Sequence, residues 1–246
     1  MENYFLNKNI LITGASSGIG KACAKYFSEQ GAIVVLVARN DEKLEEVSKE
    51  LKNKSYIYSY DLNDIENIEN IFEFCKLKGL KLDGMIHAAG ILADNPLRVK
   101  NLKLMKEAMN VHCFSFAELG RIFAKAKYSN KNSSIIAISS ISVKQYPKAM
   151  EFYVASKIAL NSVVKTMSKE FVSRNIRVNA IEPGAVATKM IKETMNQIEG
   201  YEEKLNKKQP LGIIEPIYIA YLCEYLLSNK AKYTTGETIL VSGGAY

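Results

Sequence analysis

The run Ala32-Ile-Val-Val-Leu-Val-Ala38 carries no polar residue, and this constrains the chain more than any other feature. A strand with one wet face alternates apolar and polar residues. An unbroken, β-branched run is apolar on both faces and has to be covered on both. Short apolar runs recur at Asn9–Thr13, Gly84–Gly90, Ile135–Ser140, Arg177–Glu182 and Thr238–Val241, and Ser55–Tyr60 is another β-rich run. Helical patterns lie between them: Lys21–Gln30, the charged Asp41–Leu51, and a helix starting near Asp64. They continue with Leu102–Ala126, interrupted by the polar Asn110, then the stretch holding Tyr153 and Lys157, and Ile217–Leu227. Strands alternating with helices predict an α/β, doubly wound parallel sheet of about seven strands, covered on both faces. No break in composition marks a second domain, so residues 1–246 read as one.

Composition narrows the function classes. A chain of 246 residues, 48% hydrophobic and 24% charged, buries a large core and is not disordered. No apolar stretch approaches the roughly 20 residues that span a bilayer. Met1-Glu-Asn-Tyr-Phe-Leu-Asn-Lys8 lacks the apolar core of a secretion signal, so a cytoplasmic protein without a membrane partner is expected. The four cysteines show no CxxC spacing and there are two histidines, which predicts buried free thiols and no metal site. Net charge is +7, but the basic residues are scattered and tryptophan is absent. Nucleic acid is therefore not an expected partner, and phosphate-bearing ligands account for part of the excess.

The chemistry-bearing residues fall at or just after strand carboxyl ends. The first apolar run leads into Gly14-Ala-Ser-Ser-Gly18-Ile-Gly20 and then a helix. A glycine-rich turn there lets backbone approach a phosphate, and the helix N-terminus offers unpaired N–H groups and a positive dipole. A plain tight turn would use the same glycines. Arg39 and Asn40 follow the second run, where an acidic residue would hold the ribose diol of NAD; an arginine suits the 2′-phosphate of NADP, or is a solvated loop residue. Asp61-Leu62 ends the third run, with Asp61 placed to accept from an adenine amine or to cap the next helix. Ala88-Ala89-Gly90 is a small-residue edge. Tyr153 and Lys157 stand one helical turn apart, and an ammonium beside a phenol lowers its pKa into the range for general acid–base work. Ser140 is placed to hold a substrate oxygen. Pro183-Gly184 stops the sixth run, and Thr188 is positioned to bond a ligand's amide. Lys189–Gln209, with apolar Met190, Ile191, Met195 and Tyr201, reads equally as a mobile flap or a packed surface helix.

Together, Thr13-Gly14-x-x-x-Gly18-x-Gly20, Asp61-Leu62, Asn110, Ser140, Tyr153-x-x-x-Lys157, Pro183-Gly184 and Thr188 resemble the short-chain dehydrogenase/reductase family over essentially the whole chain. The resemblance implies a Rossmann-type fold, with a cofactor half over about 1–130 and a catalytic and substrate half over about 131–246. It implies that Tyr153 is the general acid, that Lys157 lowers its pKa and binds the nicotinamide ribose, and that Ser140 holds the substrate oxygen. Asn110 would anchor a water linking Lys157 to solvent. Gly14, Ser16, Ser17 and Ile19 would line the pyrophosphate and adenosine site, and Val186 and Thr188 would hold the carboxamide. NADP(H) is favoured over NAD(H), with a small carbonyl or alcohol as substrate and a homotetramer or homodimer as the assembly.

Within the family the chain is most similar to 3-oxoacyl-(acyl-carrier-protein) reductases, through its ending Thr235-Gly236-Glu-Thr-Ile-Leu-Val-Ser-Gly243-Gly244. Lys131 and Arg174 match positions that dock acidic acyl carrier protein, or are plain surface charge. Two departures stand out: His87-Ala88 where the family has Asn-Asn, and a loop after Ser140 without the usual glycine. Sugar, polyol or steroid oxidation and a non-catalytic NADP-binding role are the rival expectations.

Overall fold

The computed structural model describes residues 4–93, 96–99, 102–189, 191, 195 and 200–245. Seven strands run parallel in one sheet: β1 (Asn9–Thr13), β2 (Ile33–Ala38), β3 (Ser55–Ser59), β4 (Leu82–His87), β5 (Ser129–Ile138), β6 (Arg177–Pro183) and β7 (Thr238–Val241). Their order is β3-β2-β1-β4-β5-β6-β7, so the direction of winding reverses between β1 and β4. In such sheets a crevice opens at the reversal, beyond the strand carboxyl ends.

The unbroken apolar strands divide their side chains between two cores. Ile10, Ile12, Val34, Leu36, Ile86 and Ile181 face α1 (Gly18–Glu29), α2 (Asp41–Lys49) and a late helix at Pro216–Leu227. Their neighbours Leu11, Val35, Val37, Met85, Val178 and Ala180 face α3 (Glu69–Leu77), α5 (Ser115–Phe123) and α7 (Glu151–Glu170). The period of two along each strand explains the split. Each valine, leucine, isoleucine or methionine side chain so buried contributes about 1.5–3 kcal/mol.

The third helix starts at Glu69 rather than near Asp64. Asp61 Oδ1 accepts from the backbone N of Asn63 at 3.0 Å, and both Asp64 carboxylate oxygens accept from Asn67 Nδ2 at 3.0 Å. Short polar side chains thus hold residues 61–67 in turns and compete with the helix. Asp61 therefore caps no helix. Leu102–Ala126 is interrupted as expected: α4 (Leu102–Met109) runs into a π-helical turn, Asn110–Phe114, and then α5. After β5 come a short α6 (Ser142–Gln145) and α7; α8 (Tyr201–Lys208) and α9 (Pro216–Leu227) follow β6. Of the segment read as a flap or surface helix, Met190, residues 192–194 and 196–199, and the side chain of Tyr201 lie outside the described residues.

Candidate active site

A cavity of about 550 Å³ opens along the carboxyl edge of the sheet, from the end of β2 across β1 and β4 to α7 and the end of β6. Every sequence-predicted site residue except Gly20 and Asn110 lines it.

At the β1 end, Gly14 has φ +67°, and a Cβ there would lie 2.7 Å from Ala89 N. The turn is pressed against the small residues after β4, which is why both segments are built of glycine and alanine. Gly20 does not face the cavity. A Cβ on it would meet Gly14 O at 2.3 Å, so its part is to let α1 pack on the turn. Ser17 occupies the N-cap position of α1 without a side-chain hydrogen bond, and no acidic residue sits in the first turn. The donors of that turn are not capped by a side chain, and the dipole favours an anion. At the β2 end Arg39 and Asn40 line the cavity, joined by Lys43 from the first turn of α2. Asn40 Oδ1 also caps α2 by accepting from Lys43 N at 2.8 Å. Neither Arg39 nor Lys43 pairs with a carboxylate among the described residues.

The opposite end holds the titratable groups. The helix α7 lacks glycine and proline, and buries Val154, Leu160 and Val164 against the sheet. That packing turns Tyr153 and Lys157 into the cavity. Lys157 Nζ donates to Ile138 O at 2.9 Å and lies 5.7 Å from the Tyr153 ring centre. Burial alone holds the ammonium down at about 7. Burial raises the Tyr153 pKa, and hydrogen bonding from Ser140 opposes the rise. Both groups sit in a dry pocket where each charged form is disfavoured. Ser140 lies two residues beyond β5, and its Oγ accepts from Ser142 N at 3.2 Å and Ser142 Oγ at 2.8 Å.

Asn110 opens the π-helical turn and lines a surface depression with Asp61 and Lys106. The same turn brings His112 behind the site. His112 Nε2 accepts from Ile91 N at 3.0 Å, and Nδ1 donates to Ser156 Oγ at 2.7 Å. Its ring meets the Tyr153 ring edge-on at 5.4 Å. The His-for-Asn departure after β4 is also accounted for. His87 Nδ1 accepts from Thr13 Oγ1 at 2.9 Å and Nε2 donates to Val111 O at 3.1 Å, tying β1, β4 and the π turn together. Burial and the nearby Lys157 ammonium keep both imidazoles neutral, with His87 pushed down to about 3.

At the β6 end Gly184 has no room for a Cβ, which would lie 2.4 Å from Gln209 Oε1. Gln209 is buried and clamps the loop, accepting from Ala185 N at 2.8 Å and donating to Ala185 O at 3.1 Å and Gly212 O at 2.6 Å. Val186 and Thr188 are thereby held at the cavity wall.

Sequence reasoning missed Lys43, Ser139, Met150 and Ile91 in the lining. Lys43 had a signal, since the Asn40 cap fixes its place one turn into α2. The others had none, because loop geometry brings them in. Arg174 is not a free surface charge. Its guanidinium donates to Ala124 O and to Ser129 O at 2.9 Å, stapling two loops, whereas Lys131 is exposed.

The cavity fits a dinucleotide. It runs from unpaired cations past an uncapped helix N-terminus to a phenol and an ammonium, and Ser139 Oγ on its wall is buried with no partner among the described residues. Comparisons with known proteins point the same way. A family model described as enoyl-(acyl carrier protein) reductase matches residues 14–246. A 3-oxoacyl-(acyl-carrier-protein) reductase of Rickettsia conorii is 34% identical over 239 residues, 96% of each chain. A diacetyl reductase, (S)-acetoin forming, of Staphylococcus epidermidis is 30% identical, covering 97% of this chain and 98% of that protein. A solved 4-hydroxyisoleucine dehydrogenase complexed with NADH is 33% identical with a TM-score of 0.90, over 97% of this chain and 98% of that one. No helix among the described residues is long and apolar enough to cross a membrane.

Proposed function

The chain belongs to the short-chain dehydrogenase/reductase family, an oxidoreductase of C=O and CH–OH groups, and on that premise we propose that it is an NADP(H)-dependent carbonyl reductase acting on 3-oxoacyl thioesters. The observation that carries the cofactor choice is the pair Arg39 and Lys43 at the β2 end, without an acidic partner among the described residues. A 2′-phosphate would meet two cations there. The 34% identity to a 3-oxoacyl-(acyl-carrier-protein) reductase supports the substrate class.

The residues divide the work. Gly14, Ser16, Ser17, Gly18 and Ile19 hold the pyrophosphate side, Asp61 and Leu62 the adenine side, and Ala88, Ala89 and Gly90 the floor. Pro183, Gly184, Val186 and Thr188 orient the carboxamide. When bound, the nicotinamide supplies or accepts the hydride. Ser140 donates to the substrate oxygen, and Tyr153 gives it a proton in reduction and takes it back in oxidation. Lys157, fixed by Ile138 O, positions the ribose and electrostatically favours the phenolate once it is charged. Acyl carrier protein is the thioester carrier in this proposal, with Lys131 as its exposed contact. Assembly is as a homotetramer.

Cofactor consumption with a 3-oxoacyl thioester, compared for NADPH and NADH, tests the proposal. Fast turnover with NADPH is expected. Tyr153→Phe should lower kcat roughly 10²–10⁴-fold while leaving cofactor affinity unchanged. Arg39→Ala should weaken NADPH far more than NADH, and equal losses would sink the 2′-phosphate assignment. The diacetyl reductase and the NADH-bound neighbour favour a second reading, a small ketone reduced with NADH. Turnover of diacetyl but not of the thioester would select it. Failure of both, in protein that binds NADPH, would move the search to sugars and steroids, and then to a binding-only role.

A further inference from the structure

We propose that Ser142 is a positioning residue for this site: its two donors occupy the acceptor lone pairs of Ser140 Oγ and so fix the Ser140 hydroxyl as a donor aimed at the reacting oxygen. The inference deepens the proposed function and rests on it.

A serine hydroxyl has one proton to give and two lone pairs to receive with. At Ser140 both lone pairs are engaged by the same neighbour. Ser142 Oγ donates at 2.8 Å and Ser142 N at 3.2 Å. What remains to Ser140 is its own O–H, which favours the Tyr153 phenolate while the site is empty and passes to the substrate oxygen when substrate binds. The hydroxyl rotor is thus oriented before substrate arrives. A rotating hydroxyl would present lone pairs and proton in turn, and would have to be ordered in the transition state.

Ser142 is itself held. It opens α6, Tyr146 N donates to Ser142 O at 3.0 Å, and the preceding Ile141 N donates to Pro183 O at 2.9 Å. At 5% exposure, solvent offers its hydroxyl little competition. The chain Ser142 to Ser140 to Tyr153 runs in one direction, and in a dry pocket each donor strengthens the next. Replacing the middle residue's acceptor bonds with nothing would leave Ser140 free to turn and would weaken its pull on the phenol.

The test is a set of variants assayed for kcat, KM, NADPH affinity and the pH profile of kcat/KM, which reports the free enzyme. S142A should lower kcat roughly 5- to 10-fold. KM and NADPH affinity should stay within about twofold, because Ser142 touches neither ligand. The limb of the profile set by Tyr153 should move to higher pH, because Ser140's lowering of the phenol is weakened. S142T, which keeps the hydroxyl, should restore both kcat and the profile. In an S140A background, S142A should add nothing, since its route runs through Ser140. S142A with wild-type kcat and pH profile overturns the inference, even if its thermal stability falls. So does a full additional loss from S142A in the S140A background. Should S142A not fold, S142C, a weaker donor of similar size, carries the same comparison. An S140A variant of undiminished kcat would overturn the assignment of Ser140 itself, a pattern distinct from the failure of Ser142 alone.

Discussion

Lys157 is buried at 3% exposure, with no carboxylate against it among the described residues, and this shows in how the molecule should respond to pH. Its folded-state value of about 7 lies below the ordinary 10.5. Between those values the unfolded chain binds the extra proton, so stability rises with pH through that window; below about pH 7 the penalty of the buried ammonium is present in full. Lys157→Met should therefore stabilise the cofactor-free protein at pH 6–7 by ~1–2 kcal/mol in urea unfolding, while abolishing turnover. The two histidines act in a separate window. Each folded-state pKa lies below the ordinary 6.5, His87 at about 3, so stability is whole above 6.5 and falls as pH drops toward the folded value. At pH 5 the loss from His87 should be roughly 2 kcal/mol, and His87→Asn should remove it. A stability curve that is flat from pH 7 to 5 would contradict the buried, neutral assignment.

Among the elements, the loop between Ser140 and α7 is the strained one. Tyr146 closes α6 with φ +47° and Ala149 follows with φ +65°, both in the left-handed region that glycine adopts freely. The loop without the usual glycine thus holds two non-glycine residues in a conformation that glycine adopts without strain. The Tyr146 ring is 66% exposed, so its removal forfeits little burial. Tyr146→Gly should raise stability by ~0.5–1 kcal/mol in thermal or urea unfolding, since the left-handed penalty exceeds the added chain entropy. A loss of stability would mean that the ring makes contacts which outweigh the strain. The π-helical turn is the other decisive element. Its i+5 hydrogen bonding widens the helix locally, and His112 within it reaches Ser156 and Ile91.

On the scale of the molecule, large apolar residues remain exposed on two faces. Phe114, Ile158 and Val172 lie on or beside α7, and Tyr218, Tyr221 and Tyr225 follow one another along α9. A homotetramer built from two self-complementary contacts would cover both. Ile158→Glu and Tyr221→Glu should each yield dimers by light scattering, and the double variant monomers. A wild-type chain that is monomeric at micromolar concentration would remove the assembly from the proposed function.

By itself the sequence determined the parallel, doubly wound sheet, and the Gly14 turn, Ser140 and the Tyr153–Lys157 pair at its carboxyl edge. These follow from signals of short range: unbroken apolar runs, a glycine turn between strand and helix, two residues one helical turn apart. The tertiary structure alone decided which residues complete the site. His112 joined the site because a π turn between α4 and α5 carries it against Ile91 and Ser156. Arg174 went to two backbone carbonyls because neighbouring loops close on it. Ser142 found Ser140 because α6 folds back within two residues. The direction of the Tyr153 shift was also beyond the motif: spacing supplies the ammonium, but only packing says how much water is left to either charge.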